Sequence, residues 1–381
     1  MTETVFRNAR IVQPDRIVEG NVVVRDGVID EIDETIVQMS GPGVDLEGDW
    51  LIPGLVELHT DHLEGHYSPR PKVRWNPVAA VQAHDAQIAA SGITTVFDAL
   101  RIGMDEDTRL VANDMQVLGA AIAESRAAGR LRADHYIHLR CEVSASDAIE
   151  SFEHFLDEPL VRLASLMDHT PGQRQFTSLD AYKTYYLGKS GMTEAELLVV
   201  MEKRIAHAEI YSAKQRQLLA AKCRERGIVL ASHDDATIEH VAEAAGIGVL
   251  VAEFPTTMEA ARASRDAGMK ILMGAPNIVR GGSHSGNVAA RSLVEAGLLD
   301  VLSSDYLPFS LLHATFRIAN EVEGIDRPQA LAFVSLNPAT AAGMDDRGAI
   351  LPGRRADLVQ VRTDGDVPLV RTVWRQGLRV V

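Results

Sequence analysis

Residues 51–66 read LIPGLVELHTDHLEGH: an apolar run from Leu51 to Leu58, broken by Gly54 and Glu57, that opens into His59, Asp61, His62, Glu64 and His66. The run from Leu55 to His59 is short enough for one strand, and its polar cluster begins where that strand would end. Alternate residues of an extended chain share a face, so His59 and Asp61 can reach one ion together. A strand ending in metal-seeking side chains suits a parallel α/β barrel, whose active sites form at the C-terminal ends of the strands.

Outward from this stretch, short apolar runs recur at Thr94–Ala99, Tyr136–Cys141, Arg162–Met167, Ile228–Ser232, Val249–Glu253, Lys270–Gly274 and Val301–Ser304. Helical patterns separate them, as from Pro77 to Ala90 and from Thr257 to Ala267. The repeated β-then-α order predicts a parallel sheet covered by helices. With the first run these segments supply the strands of a closed (β/α)8 barrel, a doubly wound open sheet being the alternative. Before it, Thr4–Phe6, Ile11–Val12, Asn21–Arg25 and Val28–Ile32 read as strands, with Asp26-Gly27 as a hairpin turn. Ala356–Val361 and Leu369–Trp374 echo them at the far end. The expected organisation is a small β-sandwich domain from 1–52 and 345–381 around a barrel at 53–344. The polar, helical stretch at about 171–226 is too long for an ordinary connection and reads as an insert, a candidate surface for homo-oligomer formation.

Placed on this frame, polar residues gather at strand ends. His59 and Asp61 follow the first strand, Glu142 ends the third, His169 the fourth, His233 the fifth and Asp305 the eighth. Imidazole nitrogen and carboxylate oxygen suit zinc, manganese or iron. A single strand-end histidine is commonly a hydrogen-bonded structural residue, whereas six competent groups at one predicted rim point to a metal centre. His62, His66 and His84 have no such placement; His84-Asp85 falls within a predicted helix.

LIPGLVELHTD, the SSD after the last strand, Asn337-Pro338-Ala339 and GAILPGRRADLV together resemble the amidohydrolase superfamily over nearly the whole chain. The resemblance implies a hydrolase holding one or two divalent ions. His59 and Asp61 match the first-strand pair, although many members have histidine at both places. No lysine stands where the family's carboxylated bridging lysine would, and Glu142 is the natural substitute. His169 and His233 match the paired histidines and Asp305 the last-strand aspartate. SPRPKVRW, AHDAQIAASGITTVFDAL, HLRCE, SLMDHTPGQRQF, ASHDDAT, AEFPTT, MGAPNIVRGGSHSGN and LSSDYLP are similar, more narrowly, to the phosphonate-metabolism branch of the carbon–phosphorus lyase pathway. That branch hydrolyses a ribose 1-methylphosphonate 5-triphosphate to the 5-phosphate and diphosphate.

Such a substrate is strongly anionic, and each predicted loop offers cations or donors. Arg70 and Lys72 follow the first strand and Arg174 the fourth. Arg280, Gly281, Gly282, Ser283, His284 and Asn287 follow the seventh, where glycines permit close backbone approach and arginine can grip phosphate. The loop is not a Walker A motif, since GxxxxGK[ST] is absent. The expected chemistry is attack of metal-activated water on the α-phosphorus, with Asp305 as general base. An amidase or deacetylase acting on a phosphorylated small molecule would use the same ligands. A non-catalytic barrel would be expected to have lost some of them.

The remaining features exclude other classes. A formal charge of −15 argues against nucleic-acid or anionic-membrane partners. No apolar run approaches the ~20 residues that span a bilayer. The first residues show no apolar signal segment, and Cys141 and Cys223 stand far apart, as expected of a reduced cytoplasmic protein.

Overall fold

A computed structural model describes every residue except 1, 35–42, 104–109, 175–178, 191, 284 and 285, and describes positions 181, 185, 189 and 190 by backbone alone. The N-terminal strands are β1 (Glu3–Val12), β2 (Ile17–Arg25), β3 (Val28–Asp33), β4 (Val44–Asp45) and β5 (Trp50–Pro53). The chain then runs through β6 (Leu55–Thr60), β7 (Ile93–Ile102), β8 (Asp134–Glu142) and β9 (Val161–Met167). After β10 (Val229–His233), β11 (Val251–Glu253), β12 (Lys270–Gly274) and β13 (Val301–Ser303), it ends with β14 (Leu358–Arg362), β15 (Leu369–Arg375) and β16 (Leu378–Arg379).

Strands β6 to β13 pair in sequence order, each parallel to the next. A parallel bridge between Thr60 and Asp305 brings the last strand back to the first. The barrel therefore replaces the open-sheet alternative. Its strands are apolar on both faces because both are covered. Val56, Leu58, Phe97, Tyr136, Leu163, Ala231, Val251, Leu272 and Val301 fill the interior. Leu55, Val96, Leu100, Ile137, Leu139 and Leu166 pack outward against the helices. Fully burying such a side chain stabilises by roughly 1.5–3 kcal/mol, so the two layers together fix the strand positions.

The helices carry local start and stop signals. Asn76 caps Pro77–Ala90 by accepting from Ala79 N at 3.0 Å, with Pro77 at the first position. The long helix Glu194–Arg226 begins in a Thr193/Glu196 capping box and stops at Gly227, whose φ is 66°. It leaves Val199 and Ile210 exposed.

Both chain ends build one hydrogen-bonded sheet in the order β16-β15-β14-β5-β1-β2-β3, with β4 beside β1. The Asp26-Gly27 turn joins β2 to β3 with both residues at positive φ, 48° and 81°. Phe6, Ile11, Val22, Ile29, Leu51, Leu358 and Trp374 form this sheet's own core. The passage from sheet to barrel is Gly54. Its N–H donates to Asp357 O at 2.8 Å, and a Cβ there would collide with Thr94 and Asp357. A second tie is Asp134 at the start of β8, where Arg347, Arg355 and Arg375 converge at 3.0, 2.8 and 3.1 Å.

Candidate metal centre

The mouth is built where β6 meets β13. Glu57 accepts from His59 N at 2.6 Å and from Ser304 N at 2.5 Å, bridging the two strands. Ser303 Oγ donates to His59 O, and Thr60 Oγ1 donates to Asp305 O at 2.8 Å. Burial pushes Glu57 up to about 7, against the donors that favour its charged form. The β6–β7 register slips between Glu57 and Thr60, where one strand carries an extra residue. Such a bulge re-aims side chains, and it lets His59 join the inward set although Leu58 also faces the interior.

Three histidines then share one arrangement. His59 Nδ1 donates to Glu253 Oε1 and His233 Nδ1 to Glu253 Oε2, each at 3.2 Å. His169 Nδ1 lies 2.6 Å from Glu142 Oε2. A carboxylate can only accept, so each Nδ1 carries the proton and each Nε2 is turned away from its carboxylate. Burial, with Arg140 adding repulsion, pushes His59 far below the ordinary histidine range. Burial likewise pushes His233 down to about 3, against the pull of Glu253. Phe254 stands edge-on to both rings, at 5.1 and 5.3 Å between centroids.

Asp234 completes the set. Its Oδ2 is 3.5 Å from His233 Nε2 and 3.9 Å from His169 Nε2, and it is buried without a hydrogen-bond partner. Burial pushes the Asp234 carboxyl up to about 7. Separations of this size are those of atoms sharing one ion rather than hydrogen-bonding to each other. The orphaned oxygen and the nearby imidazole nitrogens fit a divalent cation. Asp234, Phe254 and Asp305 also turn the chain in the left-handed region, at φ 57°, 53° and 55°. Non-glycine residues there cost of order 1–3 kcal/mol and cluster at functional sites.

Arg140 lies at the centre of the mouth, with Nη1 3.3 Å from Asp61 Oδ2. Burial would lower its pKa, but Asp61, Glu64, Asp305 and Glu253 raise it. Asp305 is half-buried; desolvation first, and the charge of Asp61 second, push it up to about 7. His138 is a structural member of the interior, donating from Nδ1 to Leu58 O and accepting at Nε2 from Ser165 Oγ.

The sequence-predicted residues thus divide. His59, His169 and His233 meet, with Asp61 and Asp305 bordering them through Arg140. Glu142, expected as a bridging ligand, is instead taken up by His169 and by Ser144 Oγ at 2.7 Å. Arg174, expected on substrate, is buried in ion pairs with Asp235 and with Glu243. Its charge is therefore engaged behind the wall. Arg70, Lys72 and Arg280 are exposed; Gly281 at φ 85°, Gly282, Ser283 and Asn287 line the loop after β12. His284 lies outside the described residues. Sequence reasoning missed Glu253, Asp234 and Arg140. Glu253 is the last residue of β11, on the same strand-end register as His233, so a complete census of strand ends finds it.

The amidohydrolase family model matches residues 78–381. The chain is 47% identical over 377 residues to the alpha-D-ribose 1-methylphosphonate 5-triphosphate diphosphatase of Escherichia coli (strain K12), covering 99% of this chain and 100% of that protein. It is 25% identical over 404 residues to an imidazolonepropionase of Deinococcus deserti, covering 99% and 96% of the two. The structure of N-acetylglucosamine-6-phosphate deacetylase from Pasteurella multocida superposes with a TM-score of 0.66 at 14% identity, covering 99% of each chain. No described helix is long and apolar enough to cross a membrane.

Proposed function

The chain belongs to the amidohydrolase family, and from that premise we propose that it hydrolyses alpha-D-ribose 1-methylphosphonate 5-triphosphate to the 5-phosphate and diphosphate. The carrying observation is the 47% identity over the full length of the Escherichia coli diphosphatase. Family members usually hold divalent metals. Here Nε2 of His169 and of His233 with Asp234 Oδ2 would hold one, zinc by its nitrogen-and-oxygen donors, with the His59 ring stacked beside His233 and Asp61 and Asp305 as the carboxylates left for another. A divalent cation so held acidifies water and offsets phosphoryl charge.

The chain's own residues do the rest. Glu253 and Glu142 fix the ring tautomers. Asp305 has a carboxyl poised near neutrality, and it takes the proton from the attacking water. Phe254 keeps solvent from the rear of the imidazoles. Arg140, whose Nε is buried without a partner, stabilises charge gathering on the phosphoryl oxygens. Arg280, Gly281, Gly282, Ser283, His284 and Asn287, with Arg70 and Lys72, receive the outgoing diphosphate. Arg174 positions Asp235 beside Asp234. The buried free thiols of Cys141 and Cys223 support a reducing cytoplasmic setting.

Phosphorus NMR of the reaction with the ribosyl triphosphate, with elemental analysis of the same sample, tests this. Diphosphate as the first phosphorus product is expected. Stepwise orthophosphate, or turnover of phosphorylated amides alone, overturns it.

A further inference from the structure

Outside the barrel wall lies a second group of imidazoles that the chemistry above does not use. Phe97 and Tyr136 face the interior, so their neighbours Asp98 and His135 face the helices. Helix Pro77–Ala90 brings His84, Asp85 and Gln87 against them, and the short helix His62–Tyr67 brings His62 and His66, one turn apart. The ring centroids of His62 and His66 are 5.0 Å apart, and each lies 5.9 Å from that of His84.

The hydrogen bonds leave two of these rings with an unpaired nitrogen. His84 Nε2 donates to Asp98 Oδ1 at 2.7 Å, so Nδ1 keeps a lone pair. That Nδ1 is buried without a partner, on a side chain with no solvent exposure. His66 Nε2 is also buried without a partner. His62 Nε2 is 2.9 Å from Gln87 Oε1, which frees its Nδ1 to accept. Buried polar atoms are normally paired, and one cation coordinated by both nitrogens would satisfy the two orphans together.

We propose that His62, His66 and His84 bind a divalent transition-metal cation, zinc by donor type, at a site distinct from the barrel mouth. Three imidazoles on one tetrahedral zinc, with nitrogens about 2.0–2.1 Å from the ion, place their centroids roughly 5 Å apart. The observed triangle is that size with slight opening. The Asp98 carboxylate behind His84 is the partner that metal-bound histidines usually have. Asp98 also accepts from His135 Nδ1 at 2.7 Å, and Asp85 Oδ1 lies 3.3 Å from His135 Nε2. Arg132 Nη1 holds the far oxygen of Asp85 at 3.2 Å, so this network behind His84 is paired and anchors the ring. The ion would tie the helix that follows the first catalytic strand to the helix before the second.

The test counts zinc. The full chain is stripped with a chelator, given zinc alone, desalted and analysed for bound metal as wild type, His66→Gln, His233→Asn and the double variant. His66 is only partly buried, so its glutamine form keeps the fold, and circular dichroism checks each protein. The expected result is one equivalent lost in His66→Gln, and one equivalent more lost in the double variant than in His233→Asn. Unchanged zinc in His66→Gln overturns the proposal. So does a double variant that loses no more than His233→Asn, since His66 would then act only through the mouth. Cobalt(II) replacing zinc gives a second reading: the spectrum of wild type minus His66→Gln should show tetrahedral ligand-field absorption, and a featureless difference overturns it. Neither readout depends on the substrate assigned above.

Discussion

Glu253 Oε2 lies 3.2 Å from His233 Nδ1 while its other oxygen meets His59 at the same distance. One buried carboxylate thus sets the tautomer of two imidazoles. In Glu253→Gln one oxygen becomes an NH2 donor, which faces an N–H and forces one ring to turn or flip. Loss of such a partner typically costs 10–100-fold in metal affinity or activity. Metal affinity measured by chelator competition should fall about that much, and excess metal should restore much of the activity. Unchanged affinity would remove Glu253 from this role.

Asp305→Asn tests proton transfer. Losing a general base typically costs about 10²–10⁴-fold in rate, with metal still bound. Burial, with the Asp61 charge, pushes the carboxyl up to about 7 against the pull of Arg140. A bound cation favours the charged form, so the activating limb of the pH–rate profile should lie at or below about pH 7. A base works deprotonated, so activity rises with pH through that limb. In the asparagine variant the limb should vanish from kcat/KM.

Asp134 offers a stability prediction away from the mouth. Burial alone would raise its pKa, but Arg355, then Arg375 and Arg347, hold it below the usual carboxylate range. A depressed folded pKa stabilises fully above the unfolded value of about 3.9 and is lost as pH falls through the folded one. Asp134→Asn leaves three arginines converging on a neutral group and should cost on the order of 3 kcal/mol at pH 7. Denaturant midpoints should show that gap at pH 7 and a narrowing gap below pH 4.

How much of this was legible varied with the physics. The barrel strands were readable because doubly covered parallel strands are apolar runs of the right length, from Leu55 to Ser303. His59, His169 and His233 drew notice because they fell with carboxylates at the ends of separate predicted strands. Asp234 was hidden, since a carboxylate beside a turn is ordinary and only burial makes it unusual, whereas Glu253 stood at a predicted strand end and was passed over. Arg174 was misread for a related reason. An arginine after a strand looks available to substrate, and only the fold shows Asp235 and Glu243 already holding it. Glu142 sat at the right rim, but its partner, His169, comes from the next strand.

Gly54 connects the opening motif to the architecture. Its φ is not in the left-handed region, so the requirement is space and not backbone freedom. A methyl group there would meet the Thr94 hydroxyl and methyl and the Asp357 Cβ, two of them at 2.8 and 3.0 Å. Overpacking of this kind costs typically about 1–3 kcal/mol. Gly54→Ala should therefore lower the unfolding midpoint, and the crossover from β5 to β6 would shift at the strand that carries His59. Thr94→Ala removes the closest collision and should recover part of the loss in a double-mutant cycle, with a coupling of about 1 kcal/mol. Additive effects of the two substitutions would show that Thr94 does not set the crowding at this junction.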